Sequence, residues 1–526
     1  MGRTSAIKLI QDTFQHSFNE ARFYKFVNNL LNHIELTPST VYRGNLIPDA
    51  YKPYIQTLDR LGKYKDPEEK KIDILIVHLK KETSLERART MQRNFIAWYL
   101  NGSRGGVLKD AALVAFVSPE QDDWRFSFIK MEYRLVKTPE GNTRAKEEFT
   151  PAKRYSFLVG KNEDSHTAKV SLIPLLINDD QAPLLAELED AFSIEKVTKE
   201  FFEKYRELFL RTKEELDRVV ENDPKTRADF DKKGVDTVNF AKKLLGQIVF
   251  LYFLQKKGWF GVGRDDDWGT GSKHFLRELF KKKHSDYKNF YNDILEPLFY
   301  EALRMDRSHD DGYYSRFDCK IPFLNGGLFD PIGNYDWVHT DIIIPDKLFS
   351  NTRKTKEGDT GDGILDIFGR FNFTVKEDEP LEKEVAIDPE LLGKAYEKFN
   401  AIRPDNYDEF RKALKSGKTG EENKFNKKFG VYYTPREIVH YMCQQSLINY
   451  LHTELTDCHS PINRDSPATL TPCHSRGPLS GNPVVSKEDI ETLIHTGEQV
   501  SENEIAALIK EQNIKEGKQK TSGYKL

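Results

Sequence analysis

The stretch Ile72-Asp73-Ile74-Leu75-Ile76-Val77-His78-Leu79 predicts a β-strand, because aliphatic and β-branched residues fill nearly all of it. A helix is predicted over residues 84–100, where an N-cap serine precedes apolar residues at the helical period. Two more strand-like runs follow at 111–117 and 124–129. The order strand, helix, strand, strand predicts a small α/β domain over residues 1–175.

The composition of the 526 residues is that of a large soluble enzyme. Charged residues make up 31% of the chain, and the aromatic content of 12% is too high for a disordered polypeptide. The sequence shows no apolar run of membrane-spanning length and no signal peptide. Its four cysteines do not make a disulfide framework. We therefore expect a cytoplasmic protein of several domains with no membrane partner; with a net charge of −3, any DNA-binding surface must concentrate positive charge locally.

Residues 185–385 predict a mostly helical connector. A long charged helix or helix pair is predicted over 192–222, followed by a break at Asp223-Pro224. Apolar residues surround the whole helix predicted over 238–260, which indicates a buried core helix that ends at Gly258.

The last part of the chain changes in composition. Residues 386–455 predict the beginning of a further folded domain. Residues 456–485 are rich in Pro, Ser, Thr and Asn and predict a disordered insert, after which helix-like sequence resumes in an incomplete segment, 486–526. The insert holds Cys458-His459 and Cys473-His474, which carry zinc-binding atoms, but adjacent ligands suit one tetrahedral ion poorly. Repetitive inserted sequence explains this duplication better than a metal site.

Asp73 and Lys80 are the candidate catalytic residues of a nuclease. Nuclease sites use carboxylates to hold Mg²⁺, which lowers the pKa of the attacking water, together with a nearby lysine. Asp73 is the candidate Mg²⁺ ligand, but His78 occupies the position two before Lys80 where an acid is expected. On a strand, Asp73 and His78 point to opposite faces, while His78 and Lys80 share one. The acids that could complete the site are Glu82, Asp59, Asp66 and Asp110.

The alternative interpretation makes Asp73 a strand-edge residue and Lys80 a solvated strand end. The histidine at position 78, where an acid is usual, weakens the prediction of cleavage more than the prediction of the fold.

Four arginines are candidate DNA contacts. Arg87, Arg89 and Arg93 lie in the helix after the strand, and Arg89 and Arg93 share a helical face at i and i+4. Such a row suits phosphate contacts that are sensitive to salt and blind to sequence. A solvated charged face is the alternative. Arg104, in a glycine-rich loop, could also approach a phosphate, or the loop could simply connect helix and strand.

The segment Phe429-Gly430-Val431-Tyr432-Tyr433-Thr434-Pro435-Arg436-Glu437-Ile438-Val439 leads into an amphipathic helix. Pro435 suits the first helical turn, with Thr434 as N-cap. Tyr432 and Tyr433 offer flat apolar faces and hydroxyls to the adenine ring or methionine tail of a nucleotide-like cofactor. An ordinary loop before a helix, with Tyr432 in the core, is the alternative.

The wording G-V-Y-Y-T-P-R-E-I-V resembles the segment that precedes the catalytic domain in adenine-specific DNA methyltransferases, particularly those fused to a nuclease in type IIG restriction–modification enzymes. The stretches at 250–259, 324–329 and 391–399 resemble the linking region of the same family. The resemblance implies a PD-(D/E)xK-like nuclease domain, a helical connector and the start of a Rossmann-like methyltransferase domain. It also implies that S-adenosylmethionine is held by a short set of residues: Tyr432, Tyr433, Thr434 and Pro435.

The sequence lacks two motifs that methyl transfer to adenine needs. No strand, glycine turn and helix follow Tyr433, and no Pro-Pro pair occurs for the loop that holds the target base. We therefore expect the N-terminal portion of a longer enzyme, without methyl transfer of its own. The complete enzyme would methylate adenine in double-stranded DNA with S-adenosylmethionine and cleave unmodified DNA with Mg²⁺. The rival interpretation is a non-catalytic DNA-binding phage-defence scaffold or degenerate nuclease.

Overall fold

The computed structural model describes residues 1–81, 85, 89–102, 107–131, 136–137, 143–144, 152–178, 181–324, 326–355, 359–375, 382–415, 428, 434, 436–457, 487 and 490–491. The chain divides into two compact units, residues 1–431 and 432–526. Each unit is described by itself.

A seven-stranded sheet forms the centre of the first unit, with its strands arranged in chain order. The strands are β1 (Glu35–Arg43), β2 (Ile55–Lys65), β3 (Lys71–Leu79), β4 (Ala111–Val117), β5 (Asp123–Lys130), β6 (Lys153–Gly160) and β7 (Glu382–Glu384). The neighbours β3 and β4 are parallel, as are β6 and β7, and the other neighbours are antiparallel. Two short ladders, Val136–Lys137 with Thr143–Arg144 and Tyr313–Tyr314 with Cys319–Lys320, lie outside this sheet.

Helices pack against the sheet and make up much of the rest of the first unit. They are α1 (Arg3–Phe14), α2 (Glu20–Leu30), α3 (Arg89–Leu100), α4 (His166–Ile177), α5 (Leu185–Ala191), α6 (Glu195–Asn222), α7 (Pro224–Lys233), α8 (Thr237–Lys256), α9 (Phe275–Phe280), α10 (Ile364–Phe368), α11 (Pro389–Asn400) and α12 (Tyr407–Lys415). Two π-helical segments, Tyr291–Leu295 and Leu298–Ala302, follow α9. The mixed sheet and the many helices are compatible with the predicted multidomain α/β and α architecture.

Alternate residues of β3 belong to two different hydrophobic cores, as the period of a strand requires. Ile74 and Ile76 lie in a large core together with apolar residues of α1 and α2. Leu75 and Val77 lie in a smaller core with apolar residues of α3. Helix α3 connects the parallel strands β3 and β4, which need a crossover rather than a tight turn. The sheet therefore has an α1–α2 face and an α3 face.

Strand β7 comes from a part of the sequence predicted as connector. Glu382, Lys383 and Glu384 pair in parallel with Arg154, Tyr155 and Ser156 of β6. This edge of the sheet is therefore built by residues that lie more than two hundred positions after their partners in β6.

Helix α8 ends as predicted from its sequence. Fourteen of its residues are buried, on all sides of the helix. Gly258 follows α8 in the left-handed region, with φ of 70°.

Helix α7 begins at the break that the sequence indicated. Its N-cap is Asp223, whose carboxylate accepts hydrogen bonds from the backbone amides of Lys225 and Thr226.

Gly258→Ala is expected to lower the free energy of unfolding by about 2–5 kcal/mol, because a left-handed alanine is strained and its Cβ would overlap the carbonyl oxygen of Gly269. Gly234→Ala is the matched control. Gly234 has φ of 63°, but nothing lies within 4 Å of a Cβ there. Only the strain of about 1–2 kcal/mol remains in the control. Denaturant unfolding followed by circular dichroism measures both changes, and equal losses would contradict the close approach to Gly269.

The second unit contains α13, Arg436–Asp457. Large apolar side chains of this helix are exposed at several helical angles, among them Ile438, Tyr441, Leu447 and Tyr450. No helix among the described ranges is both long enough and apolar enough to cross a membrane.

Candidate active site

Asp59 and His78 lie side by side on the α1–α2 face, on the neighbouring strands β2 and β3. Nε2 of His78 is 3.7 Å from Oδ2 of Asp59, and both side chains are partly exposed. The hydroxyl of Thr57, the register partner of His78, donates a hydrogen bond of 3.3 Å to Oδ2 of Asp59. This bond orients the carboxylate toward the imidazole.

Two cationic residues flank this pair. Lys80 follows β3 directly, so strand alternation puts it on the face of His78. Its backbone amide donates to the carbonyl oxygen of Tyr54 at 2.9 Å, which keeps the chain beside β2. Arg43, Thr57 and His78 are successive register partners across β1, β2 and β3, and therefore form one row on this face. Arg43 and Lys80 are both exposed.

Arg43 is a candidate that the sequence did not reveal. Its place beside His78 depends on two antiparallel pairings, and local periodicity does not specify which residues those pairings bring together.

Asp73 lies on the α3 face and is only 2% exposed. Its carboxylate accepts hydrogen bonds from Nη2 of Arg60 at 3.0 Å and from the hydroxyl of Tyr99 at 2.6 Å. The ammonium of Lys109 is 3.6 Å from the same carboxylate and 4.2 Å from the centre of the Tyr99 ring. Burial lowers the pKa of Lys109, against the attraction of Asp73. Asp73 therefore compensates two neighbouring cations in a mostly buried cluster.

The structure does not bring Asp73 and Lys80 together. The two residues lie on opposite faces, and seven strand positions separate them by about 23 Å. Among the other acids that could complete the site, Asp66 is buried. Its carboxylate accepts hydrogen bonds from the backbone amides of Glu68, Lys70 and Leu185. Asp110 accepts the amide of Lys71 at the opposite end of β3 from Lys80. Glu82 lies outside the described residues.

Asp59 is therefore the acid that the described structure places beside His78 and on the face of Lys80. The alternation of β3 indicated which face to consider, and the register of β2 with β3 identified the residue.

Arg89 and Arg93 turn inward from α3 and are at most 9% exposed. Nε of Arg89 donates to Oε1 of Glu382 at 2.6 Å, and Nη1 of Arg93 is 3.7 Å from Oε2 of the same carboxylate. In this position neither guanidinium is offered to a DNA backbone. DNA contact by this helical face stays a prediction without support from the arrangement of the two side chains.

Two further buried arginines complete this group, which we call the arginine cluster: Arg89, Arg93, Arg125 and Arg154. Nη1 of Arg125 is 3.3 Å from Oε2 of Glu384, and Nη1 of Arg154 is 3.7 Å from Oε1 of Glu382. Burial lowers the pKa of Arg154 to about 9, against the attraction of Glu382. Burial alone would raise the pKa of Glu382, but the charges of Arg154, Arg89 and Arg93 outweigh it and lower that pKa. The arginine cluster therefore depends on the two glutamates of β7.

The sequence contains a pattern that could have predicted two members of this cluster, Arg125 and Arg154. Arg125 and Ser127 alternate with aromatic residues in β5, and Arg154 and Ser156 occupy a similar pattern in β6. Such alternation places polar residues on one face of a sheet. Their acidic partners, however, lie in a remote segment.

The other predicted contact residues are mostly outside the described ranges. The residues outside the described ranges are Arg87, Arg104, Tyr432, Tyr433 and Pro435. Their predicted roles stay predictions. Thr434 is described and is exposed.

Asp59 and His78 do not fit a dedicated Mg²⁺ site. Mg²⁺ prefers oxygen ligands in near-ideal octahedral geometry, whereas this pair offers one carboxylate and one imidazole. In the described part of the chain, no group of three or more His, Cys, Asp and Glu residues could hold a metal ion. Any ion bound here would take most of its ligands from water or substrate.

One curated protein matches a substantial part of this chain. The relative, from Methanocaldococcus jannaschii, is named "Putative type II restriction enzyme and methyltransferase" and is 28% identical over 271 residues. The match covers 49% of this chain and 18% of the relative's length. No protein-family model matches the chain. No solved structure matches it either.

Proposed function

We propose that this chain acts in a restriction–modification system on double-stranded DNA, with cleavage at the sheet and adenine methylation that uses S-adenosylmethionine. The similarity to a relative named for both restriction and methylation supports the pairing of these activities. The match spans less than a fifth of that relative's length.

One observation carries the cleavage proposal: Asp59 and His78 lie side by side on the α1–α2 face of adjacent strands, and strand alternation puts Lys80, directly after β3, on the same face. A carboxylate and an imidazole 3.7 Å apart can together hold a water molecule beside a phosphate. Lys80 and Arg43 are exposed, so both can reach a duplex and balance the charge of its phosphates. The buried Asp73 has no comparable access.

The second unit supports the methylation proposal through α13. Large apolar side chains of α13 are exposed at several helical angles, and exposed apolar surface of this kind often marks a place where another element or a ligand packs. We propose that Tyr432, Tyr433, Thr434 and Pro435, directly before this helix, contact the cofactor.

A second candidate function follows from His78. Because an imidazole stands where a nuclease acid is expected, the sheet could bind DNA without cutting it. The chain would then be a DNA-binding scaffold of a defence system.

Conversion of supercoiled plasmid by the purified chain tests the proposal. We expect open-circular or linear DNA in the presence of Mn²⁺ or Mg²⁺, and none with EDTA. Binding of the same plasmid should weaken steeply between 50 and 200 mM salt if phosphate contacts dominate. Salt-dependent binding without cleavage in either metal would favour the scaffold. If the chain neither binds nor cleaves the plasmid, both interpretations are overturned.

A further inference from the structure

Asp59 and His78 are two donors of different chemical character. The carboxylate offers oxygen, and the imidazole offers Nε2, the atom that faces Oδ2 of Asp59. The separation of 3.7 Å is longer than a hydrogen bond, and Oδ2 also accepts a hydrogen bond from the hydroxyl of Thr57. Both side chains are partly exposed, which leaves the pair accessible to an ion.

The spacing of the two donor atoms is compatible with one shared ion. Bonds of about 2.1 Å to each atom would span 3.7 Å with an angle of about 120° at the metal. Octahedral Mg²⁺ needs an angle near 90°, which brings neighbouring ligand atoms to about 3.0 Å. The observed separation is wider than octahedral ions such as Mg²⁺ and Mn²⁺ prefer, so the donor atoms and not this spacing decide between the two ions.

The imidazole discriminates further. Nitrogen ligands suit first-row transition metals, whereas Mg²⁺ is held by carboxylates, carbonyls and water. Replacing an acid by histidine also removes one negative charge that would attract Mg²⁺. Thr57 keeps the remaining carboxylate oriented through its hydroxyl.

We infer that Asp59 and His78 bind a divalent first-row transition metal ion in preference to Mg²⁺. The inference rests on the proposed function, because it assigns the metal of the same candidate cleavage site. It predicts that His78 sets the choice of metal.

Titration of Mn²⁺ into the purified chain tests this inference without DNA. The loss of the free Mn²⁺ signal in electron paramagnetic resonance measures binding, and competition with Mg²⁺ measures selectivity. We expect the wild-type chain to bind Mn²⁺ at least about tenfold more tightly than Mg²⁺. His78→Glu should reduce this ratio about tenfold, since it restores an oxygen donor and a negative charge. His78→Gln and Asp59→Asn should each leave the free Mn²⁺ signal undiminished, which means that Mn²⁺ no longer binds.

His33→Gln is the matched control, because His33 is an exposed histidine of the same unit away from the pair. Its Mn²⁺ binding should equal that of the wild type. Circular dichroism spectra should coincide for all variants, since Asp59 and His78 are partly exposed and do not support a core. An Mn²⁺ to Mg²⁺ ratio that is the same in the wild type and in His78→Glu would overturn the inference, as would Mn²⁺ binding that survives His78→Gln.

The two proposals can fail separately. Selective Mn²⁺ binding that depends on His78, without plasmid cleavage, would leave the metal site intact and remove the nuclease. If Mg²⁺ and Mn²⁺ support cleavage by the wild type equally, and His78→Glu does not change metal binding, the nuclease assignment stands. The transition-metal preference is then wrong.

Discussion

Glu382→Ala is expected to lower the free energy of unfolding of the first unit by about 3–5 kcal/mol, because it removes one partner of a buried ion-pair network. Its carboxylate lies within 4 Å of Arg89, Arg93 and Arg154, and all four side chains are mostly or fully buried. Without Glu382, their positive charges would face one another in a medium of low polarity. The expected loss is large compared with that of an exposed ion pair.

Lys383→Ala is the matched control for this prediction. Lys383 lies on the same short strand, but it is exposed. Its removal should change the unfolding free energy by less than about 0.5 kcal/mol. Denaturant unfolding at neutral pH compares the two variants with the wild type. Similar small losses in both would show that the arginine cluster does not depend on Glu382.

Asp59→Asn and Lys80→Ala are each expected to reduce the rate of plasmid cleavage by about 100-fold or more, the scale on which loss of one charge-stabilising group acts. Asp59→Asn keeps the shape of the side chain but removes its charge, and Lys80→Ala removes the exposed cation. The melting temperature of both variants should stay within about 1–2 °C of the wild type, since neither residue fills a core. Initial rates of nicking, measured for all variants at a Mn²⁺ concentration that saturates the wild type, give the comparison.

Asp73→Asn makes the same chemical change on the opposite face of the sheet. Here the effect should fall on stability: we expect a loss of about 1–3 kcal/mol, because Arg60 and Lys109 lose the charge that compensates them. The folded fraction should cleave at the wild-type rate. If Asp73→Asn instead abolished cleavage at unchanged stability while Asp59→Asn had no effect, catalysis would lie on the α3 face and the present assignment would be wrong.

Local patterns in the sequence predicted the elements whose determinants are local. Alternation in β3 predicted that Asp73 and His78 lie on opposite faces, and the apolar surface of α8 with its terminal glycine predicted a buried helix and its end. The same patterns could not predict partners. Helical spacing shows that Arg89 and Arg93 share a face, but only tertiary packing decides whether that face meets solvent or Glu382, 293 residues away from Arg89.

The candidate site shows the same division. His78 lies near the end of β3 and Lys80 directly follows that strand, and the two were predicted to share a face. Asp59 and Arg43 join them through the register of β1, β2 and β3, which includes irregular positions between Leu36 and Thr40 and between Ile55 and Thr57. Such irregularities shift which residues lie side by side, and nothing in local alternation specifies them.

The distance in sequence between α3 and β7 has a consequence during synthesis of the protein. A ribosome that adds about 5–20 residues per second needs roughly 15–60 s to pass from Arg89 to Glu382. From the addition of Arg154 to that of Glu382, which is most of this interval, the nascent chain contains all four arginines of the cluster but neither glutamate of β7. The sheet can therefore reach its final form only after most of the chain has been translated, so a cleavage site on that sheet would mature late in synthesis.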